Sequence, residues 1–401
     1  MKIIFLNPTA FLGGAEMCLL DLLATLGPGV TPKVILTEDG PLKQAVEALG
    51  VSCDVLALPD RLARLGDAGM GLNSGPKRRL SLAVNAPGLA VDGLTYLRLL
   101  HRRLHDEAAD LVQTNGMKAH VLGSWAAPKG VPVVWHLHDY LSGRAVMGRL
   151  LRGSLREGLK VVAVSRSVAE DAEKVLGTRI PVVSILNAVD LERFAPGLGD
   201  GARLDAEAGL PPAPRGTVRV GLVATYARWK GHEVFLDAIA KVPRDRPTRF
   251  YIVGGPLYRS SGSQWSAEEL RSHAEKRGEG DRIGFVRHQA DPESIYRALD
   301  VVVHASTRPE PFGRVIVEAM ASGKAVAAVA LGGAAELFTN EVSAIACPAG
   351  DAVALAETLT RLIDQPDLRM RLGEAGRREA VERFDRARLK GEWARAYWGA
   401  K

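Results

Sequence analysis

Two carboxylates with seven residues between them, Glu310 and Glu318, flank the segment PFGRVIV. Pro309 and Pro311 oppose regular structure ahead of Phe312. The apolar run after Gly313 predicts a helix that Gly323 can close. Free amides and the positive dipole end at the start of such a helix favour an anion, and the missing side chain of Gly313 lets a phosphate come close. Glu310 precedes that anion site. Glu318 falls a turn or two inside the helix among Val315, Ile316, Val317, Ala319 and Met320, where a carboxylate is costly unless hydrogen-bonded. A capping Glu followed by a solvent-facing Glu fits the same spacing.

Five more places carry residue types suited to ligand chemistry. Gly13-Gly14 lies between an apolar strand and a helix, a phosphate-friendly turn. It lacks the third glycine of a G-x-G-x-x-G fingerprint, and no ribose-binding acid follows at the usual distance. His136, His138 and Asp139 end another apolar run, where open parallel sheets bind ligands. A structural His beside a capping Asp is the competing reading, and both histidines stay open because they share a strand face. Lys230-Gly231 follows a third strand and, taken alone, is an ordinary exposed lysine. Gly254-Gly255, and Val286 within Phe-Val-Arg, end two further strands, where glycine is common turn chemistry.

Positioning these residues takes a large scaffold. A 401-residue chain exceeds one ordinary core and predicts two domains. Strands are expected at 2–7, 33–37, 53–56, 111–114, 132–137, 160–164 and 181–186, then at 218–224, 250–253, 282–286, 301–304 and 325–329. Helical segments alternate with them, the first at 17–26, which implies parallel sheets covered on both faces. The Gly-, Pro- and Ala-rich stretch after Asn187 marks the boundary. The expected division is a first domain at 1–190, a linker at 191–217 and a second domain at 218–384, with the tail 385–401 packed back on the first. Residues 60–90 show no clear period and read as an insertion or mobile loop. Arg149, Arg152, Arg156 and Lys160 recur at helical spacing; a solvated basic face is the plain reading, and contact with an anionic membrane is the sharper one.

Hydrophobic residues make up 47% and charged residues 24%, the composition of a soluble globular protein. Three scattered cysteines argue against a disulfide framework or zinc site and suit a reducing cytoplasm. The opening MKIIFLN is too short an apolar run for a signal peptide, and no run approaches the roughly 18 residues of a membrane-spanning helix. A net charge of +6 favours acidic ligands or an anionic surface. The expected location is the cytoplasm, with peripheral contact at the inner face of the membrane left open.

The segment EPFGRVIVEAMASGKAV resembles the E-x7-E signature of the retaining GT-B glycosyltransferases, the large family 4-like, group 1 class typified by sucrose synthases and bacterial mannosyltransferases. The resemblance spans most of the chain, with Gly-Gly, His-Asp, Lys-Gly, strand-end Gly-Gly and E-x7-E in family order. It implies an α/β GT-B fold, two Rossmann-like domains with parallel sheets facing an interdomain cleft. It assigns Glu310 to hydroxyls of the donor sugar, Glu318 to the nucleotide ribose, and Phe312, Gly313 and Val315 to the sugar and diphosphate. Gly254 and Gly255 would let the nucleotide approach the backbone, and the main chain near Val286 would read the base. His138 and Asp139, or His136, would lie near the transferred sugar; Gly13 and Gly14 would meet donor phosphate or acceptor. Lys230 would neutralise the diphosphate. Where the family has Gly-Arg this chain has Ala224-Thr225, and Arg228 is the nearby cation that would supply the second charge.

The implied activity is transfer of a sugar from a nucleotide diphosphate sugar to an acceptor hydroxyl, with no cofactor and no nucleic-acid partner. The acceptor, whether sugar, lipid-linked glycan or small molecule, is not written in these motifs. No Asp-x-Asp pair occurs, so no metal clamp for the diphosphate is expected. A sugar-nucleotide epimerase would need acid and base groups on both sides of one sugar carbon, and E-x7-E favours transfer instead. A non-catalytic sugar-nucleotide sensor would keep the pocket without releasing nucleotide diphosphate when an acceptor is added.

Overall fold

The computed structural model describes residues 1–63, 76–177, 180–256, 263–288 and 292–399, with backbone alone for 76–86. They form two compact units, Met1–Asn187 with Ala387–Lys401, and Ala188–Arg386.

In the first unit, β1 (Lys2–Asn7) buries consecutive positions from Ile3 to Asn7, so both faces of the strand are covered. It pairs in parallel with β2 (Thr31–Leu36) and with β4 (Leu111–Asn115). β3 (Ser52–Val55), β5 (Val133–Leu137), β6 (Leu159–Ala163) and β7 (Val182–Ser184) complete a seven-stranded sheet of order β3-β2-β1-β4-β5-β6-β7. The second unit has β8 (Val218–Val223), β9 (Thr248–Gly254), β10 (Ile283–Arg287), β11 (Val301–His304), β12 (Ala325–Val329) and β13 (Ile345–Cys347), ordered β10-β9-β8-β11-β12-β13. Every paired strand in both sheets is parallel. The strand order reverses beside β1 in one sheet and beside β8 in the other, and ligands bind beyond the strand ends at such switch points.

Four expectations need correction. The first helix starts at Gly14 rather than at 17, because the Glu16 carboxylate folds back to accept the Gly13 amide at 3.2 Å. The expected insertion 60–90 falls partly outside the described residues. From Pro76 it belongs to a helix that runs to Asp106 and tolerates Pro87. Tyr96, Leu100 and Leu104 give that helix a buried stripe at helical spacing.

The basic run at 149–160 is not one helix. The helix Ala145–Arg152 ends at Gly153. Arg156 then donates to the carbonyls of Ser124, Ala127 and Pro128 at 2.9–3.0 Å, and so closes the helix Met117–Ala126. Lys160 donates to Ala396 and Tyr397 at 3.1 and 2.7 Å at the end of the helix Leu389–Trp398. Arg152 likewise donates to the Val175 carbonyl at 3.0 Å, in the last turn of the helix Arg166–Leu176, so three of the four cations go to carbonyls left open at helix ends.

Residues 191–217, expected as a linker, belong to the second unit. Asp205, on the helix Gly201–Glu207, is 1% exposed. It accepts from Arg219 at 2.7 Å and from the Tyr251 hydroxyl, and Arg249 lies 3.4 Å away. Arg219 is on β8, while Arg249 and Tyr251 are on its neighbour β9. Of the described residues, no helix is long and apolar enough to cross a membrane.

Removing the buried carboxylate leaves the half-buried Arg219 without its partner, which typically costs several kcal/mol. Asp205→Ala is expected to destabilise the second unit by about 3 kcal/mol in urea unfolding. An unchanged midpoint would return 191–217 to the status of a linker.

Candidate functional site

In the second unit two of the sequence-predicted residues, Lys230 and Glu310, meet at one buried carboxylate. Glu310 is 7% exposed. Its backbone is held by pairing with Gly332: its amide donates to Leu331 at 3.1 Å, and its carbonyl accepts from Gly333 at 2.7 Å. Lys230 Nζ lies 2.8 and 2.7 Å from the two carboxylate oxygens. The Ser306 hydroxyl donates to Oε2 at 2.8 Å, and His304 Nε2 approaches the same oxygen at 3.2 Å. Burial alone would raise the Glu310 pKa. The Lys230 charge, with the His304 hydrogen bond and charge, outweighs burial and holds the carboxyl well below its usual range.

Gly231 explains how Lys230 arrives there. Its φ is +78°, and a Cβ would stand 1.8 Å from the Ala305 carbonyl oxygen, so only glycine lets this turn lie against the end of β11. The amide of Thr307 donates to the Trp229 carbonyl at 2.8 Å and ties the same turn down. Arg228, in that turn, stacks on Trp265 with its guanidinium carbon 3.6 Å from the ring centroid, and pairs with Glu269 at 3.4 Å. Its guanidinium therefore faces Trp265, while Lys230 faces Glu310.

Gly313 takes a φ of +104° and caps the helix Arg314–Ala321, whose first turn holds Val315. Phe312 is buried edge-on to Phe384, centroids 6.2 Å apart, so its ring belongs to the core. Glu318, one turn after Arg314, accepts from Arg314 Nε at 3.2 Å and from the Tyr296 hydroxyl at 2.8 Å. Gly254 permits another close crossing: its φ is +152°, and a Cβ there would meet the Ala224 carbonyl oxygen at 1.9 Å. Gly255 accepts from the Tyr226 amide at 3.0 Å, and Val286 is buried beside Val253.

In the first unit, His138 and His136 part company. His136 is 3% exposed, its ring centroid 4.0 Å from His138 and 4.8 Å from Trp393. Burial and then the neighbouring His138 and His120 lower its pKa well below the usual value, so it stays neutral. His138, beyond the strand end and partly exposed, has Nε2 3.2 Å from Asn115 Oδ1. Asp139 accepts from the Tyr140 amide at 2.9 Å and pairs with Arg144. A Cβ on Gly13 would stand 2.7 Å from Glu16 Oε2 and 2.8 Å from the Phe11 ring, so a side chain there would push both side chains aside. Glu16 is 5% exposed and accepts from Thr9 at 2.5 Å; burial nevertheless raises its pKa. Gly14, the first helical residue, is exposed.

Sequence reasoning missed His304, Ser306, Tyr296 and Glu16. For Glu16 the signal was available, an acid three residues beyond a helix start. His304-x-Ser306 at a strand end was a weaker hint, and nothing local marks Tyr296. Among the described residues, no three His, Cys, Asp or Glu side chains come together as metal ligands would.

Replacing Lys230 strands the Glu310 charge. Lys230→Met is expected to cost about 3 kcal/mol of stability at pH 7. The folded-state pKa of Glu310 lies below its ordinary 4.5, so its contribution is complete above that value and is lost as pH falls below it. The gap between wild type and mutant in urea unfolding therefore narrows from pH 7 to pH 4. A gap that is absent at pH 7, or that widens in acid, contradicts the pairing.

Comparison with known proteins gives this arrangement a family. The pattern described as Glycosyl transferases group 1 matches residues 212–379, and that described as Glycosyltransferase Family 4 matches residues 13–193. The lipopolysaccharide core biosynthesis mannosyltransferase LpsB of Rhizobium meliloti is 30% identical over 262 residues, covering 60% of this chain and 72% of LpsB. The D-inositol 3-phosphate glycosyltransferase of Segniliparus rotundus is 29% identical over 265 residues, covering 62% of this chain and 56% of that protein. The matches span about half the length of this and other inositol-phosphate glycosyltransferases. The structure of Anabaena HepE in complex with UDP and glucose is similar with a TM-score of 0.79, 27% identity and 98% coverage of each chain. A glycosyltransferase from Rickettsia africae shares the fold at 20% identity, with a TM-score of 0.78 over 99% of this chain and 97% of that one. With two parallel sheets ordered alike and both family patterns in sequence, the chain has the GT-B fold and belongs to the family 4, group 1 glycosyltransferases.

Proposed function

We propose that the protein moves a sugar from a nucleotide diphosphate sugar to an acceptor hydroxyl with retention at the anomeric carbon, using no bound metal. The observation that carries this reading is the Lys230–Glu310 pair, a buried carboxylate held by a cation close to the glycine-capped helix Arg314–Ala321. Support for the donor class comes from HepE, whose structures are described in complex with UDP and with UDP-glucose.

In this reading Glu310 accepts hydroxyls of the donor sugar, and Lys230 with the first amides of the helix, around Gly313 and Val315, meets the diphosphate. Glu318 takes the ribose, Gly254 and Gly255 leave room for the nucleotide, and the main chain at Val286 meets the base. His138 stands by the transferred sugar with Asp139 behind it, and Gly13-Gly14 meets phosphate or acceptor. Arg228 would have to leave Trp265 and Glu269 to reach the diphosphate, so Lys230 carries the larger share. Stabilising the charge that grows on the leaving diphosphate is the main electrostatic task.

The state of Glu310 argues against reaching that retention through a covalent intermediate on its carboxylate. A carboxylate already held by Lys230, Ser306 and His304, with its pKa depressed, is a poor nucleophile. The proposed step therefore stays on one face of the sugar. The bond from the anomeric carbon to the diphosphate oxygen breaks, the bond to the acceptor oxygen forms on the same side, and the acceptor proton passes to the departing phosphate.

A thermal-shift screen over nucleotide sugars selects the donor, since a ligand of the folded state raises the melting temperature. With that donor and a panel of hydroxyl acceptors, release of nucleoside diphosphate is expected only when an acceptor is present. Proton NMR of the product is expected to show the donor's anomeric configuration, and EDTA to leave the rate unchanged. An inverted product overturns retention. A rate lost in EDTA and restored by magnesium or manganese overturns the metal-free scheme. A change of sugar configuration without any acceptor favours the epimerase.

A further inference from the structure

The proposed function leaves Tyr296 without a task. This residue lies on the short helix Glu293–Ala298 and is 0% exposed, edge-on to Phe194 at 5.7 Å between centroids. Its hydroxyl donates to Glu318 Oε2 at 2.8 Å. On the other side, Arg314 Nε donates to Glu318 Oε1 at 3.2 Å, and Arg314 Nη1 reaches the Ala188 carbonyl at 3.3 Å. Each carboxylate oxygen is thus gripped by a donor from a different part of the fold, one phenol and one guanidinium.

Two donors on two oxygens fix the plane of a carboxylate, whereas one would leave it free to rotate about its last bond. An ionised carboxylate has about four acceptor positions. The grip occupies two, which leaves acceptor capacity on a side chain that keeps 12% of its surface exposed. Burial, and after it the Glu318 charge, raises the Tyr296 pKa well above the ordinary phenol value, so the hydroxyl keeps its proton.

We infer that Tyr296 is a specificity-determining positioning residue: with Arg314 it locks the Glu318 carboxylate in the orientation that accepts the paired hydroxyls of a ribose and so selects ribonucleotides over deoxyribonucleotides. The inference rests on the reading that Glu318 meets the nucleotide ribose. A vicinal diol is a two-donor ligand whose oxygens are held at a fixed separation by the ring. Only a carboxylate of fixed plane returns the full advantage of the second hydroxyl, because no orientation has to be bought at binding. A Glu318 that turned freely would still attract one hydroxyl and would discriminate less.

Calorimetry with UDP, GDP and ADP first identifies the nucleoside diphosphate that binds most tightly. Its 2′-deoxy and 3′-deoxy counterparts are then compared with it. The wild type is expected to prefer the ribonucleotide by about tenfold or more, as for a charge-assisted hydrogen bond. Tyr296→Phe keeps the ring and its contact with Phe194. It is expected to reduce that preference at least threefold by weakening the ribonucleotide alone, and Arg314→Lys to reduce it from the other oxygen. Glu318→Gln is expected to bring the preference close to one, with Tyr296→Phe adding nothing further. If Tyr296→Phe keeps the wild-type preference, or weakens ribo and deoxy forms equally, the hydroxyl is only structural and the inference falls while the donor-site reading stands. If Tyr296→Phe fails to fold, an undiminished preference in Arg314→Lys overturns the locked-carboxylate account. If no nucleoside diphosphate binds the wild type, or the wild type does not discriminate, the ribose reading itself falls and takes the inference with it.

Discussion

An ionised carboxylate taken out of water must find donors on every side, and Glu310 is where that demand organises the second unit. Its donors come from separate places: Lys230 from the turn after β8, His304 from the end of β11, and Ser306 two residues on. Bringing the turn close enough requires Gly231, since any side chain there would strike the Ala305 carbonyl. Holding Glu310 itself requires the bridge to Gly332 after β12. The ends of β8, β11 and β12, adjacent strands of one parallel sheet, therefore converge on one charge. The same crowding of strand ends that makes a parallel sheet a binding edge also makes the ion pair affordable in the interior.

The first unit meets a similar demand with uncharged groups. Asn115 and His136 are partners across β4 and β5, and His138 follows two residues later. The helix Leu389–Trp398 reaches this sheet through Trp393 against His136 and through the Tyr397 hydroxyl on Gln113. Lys160 fastens the end of that helix, and Arg388, just before it, donates to the carbonyls of Leu186 and Asn187. The last helix is thus part of the support beneath His138.

Much of this was legible because the signals were local. Alternating apolar runs and helical segments gave twelve of the thirteen described strands within a residue or two. Glu310, Glu318 and Lys230-Gly231 stood out through short, dense motifs. What stayed hidden is what depends on distant partners. Asp205 lies in a stretch whose Gly, Pro and Ala content reads as a linker, yet Arg219, Arg249 and Tyr251 turn it into part of a core. Arg156 and Lys160 fell on a helical period by coincidence, since Gly153 ends the helix before either residue. Tyr296 sits 22 residues from Glu318, with no pattern to link them. Arg228 and Lys230 are two positions apart in one turn and look interchangeable in sequence, but the Trp265 ring draws one away while Glu310 draws the other in.

The central claim is that the cation beside Glu310 is there for a diphosphate. Its most direct measure is the ratio of affinities for a nucleoside diphosphate and the matching monophosphate, by calorimetry, in the wild type and in folded Lys230→Met protein. The account predicts that the wild type prefers the diphosphate by about tenfold or more, and that Lys230→Met loses most of this preference while its monophosphate affinity changes little. An equal preference in both proteins would contradict it, and would leave Lys230 as no more than the counter-charge that keeps Glu310 buried.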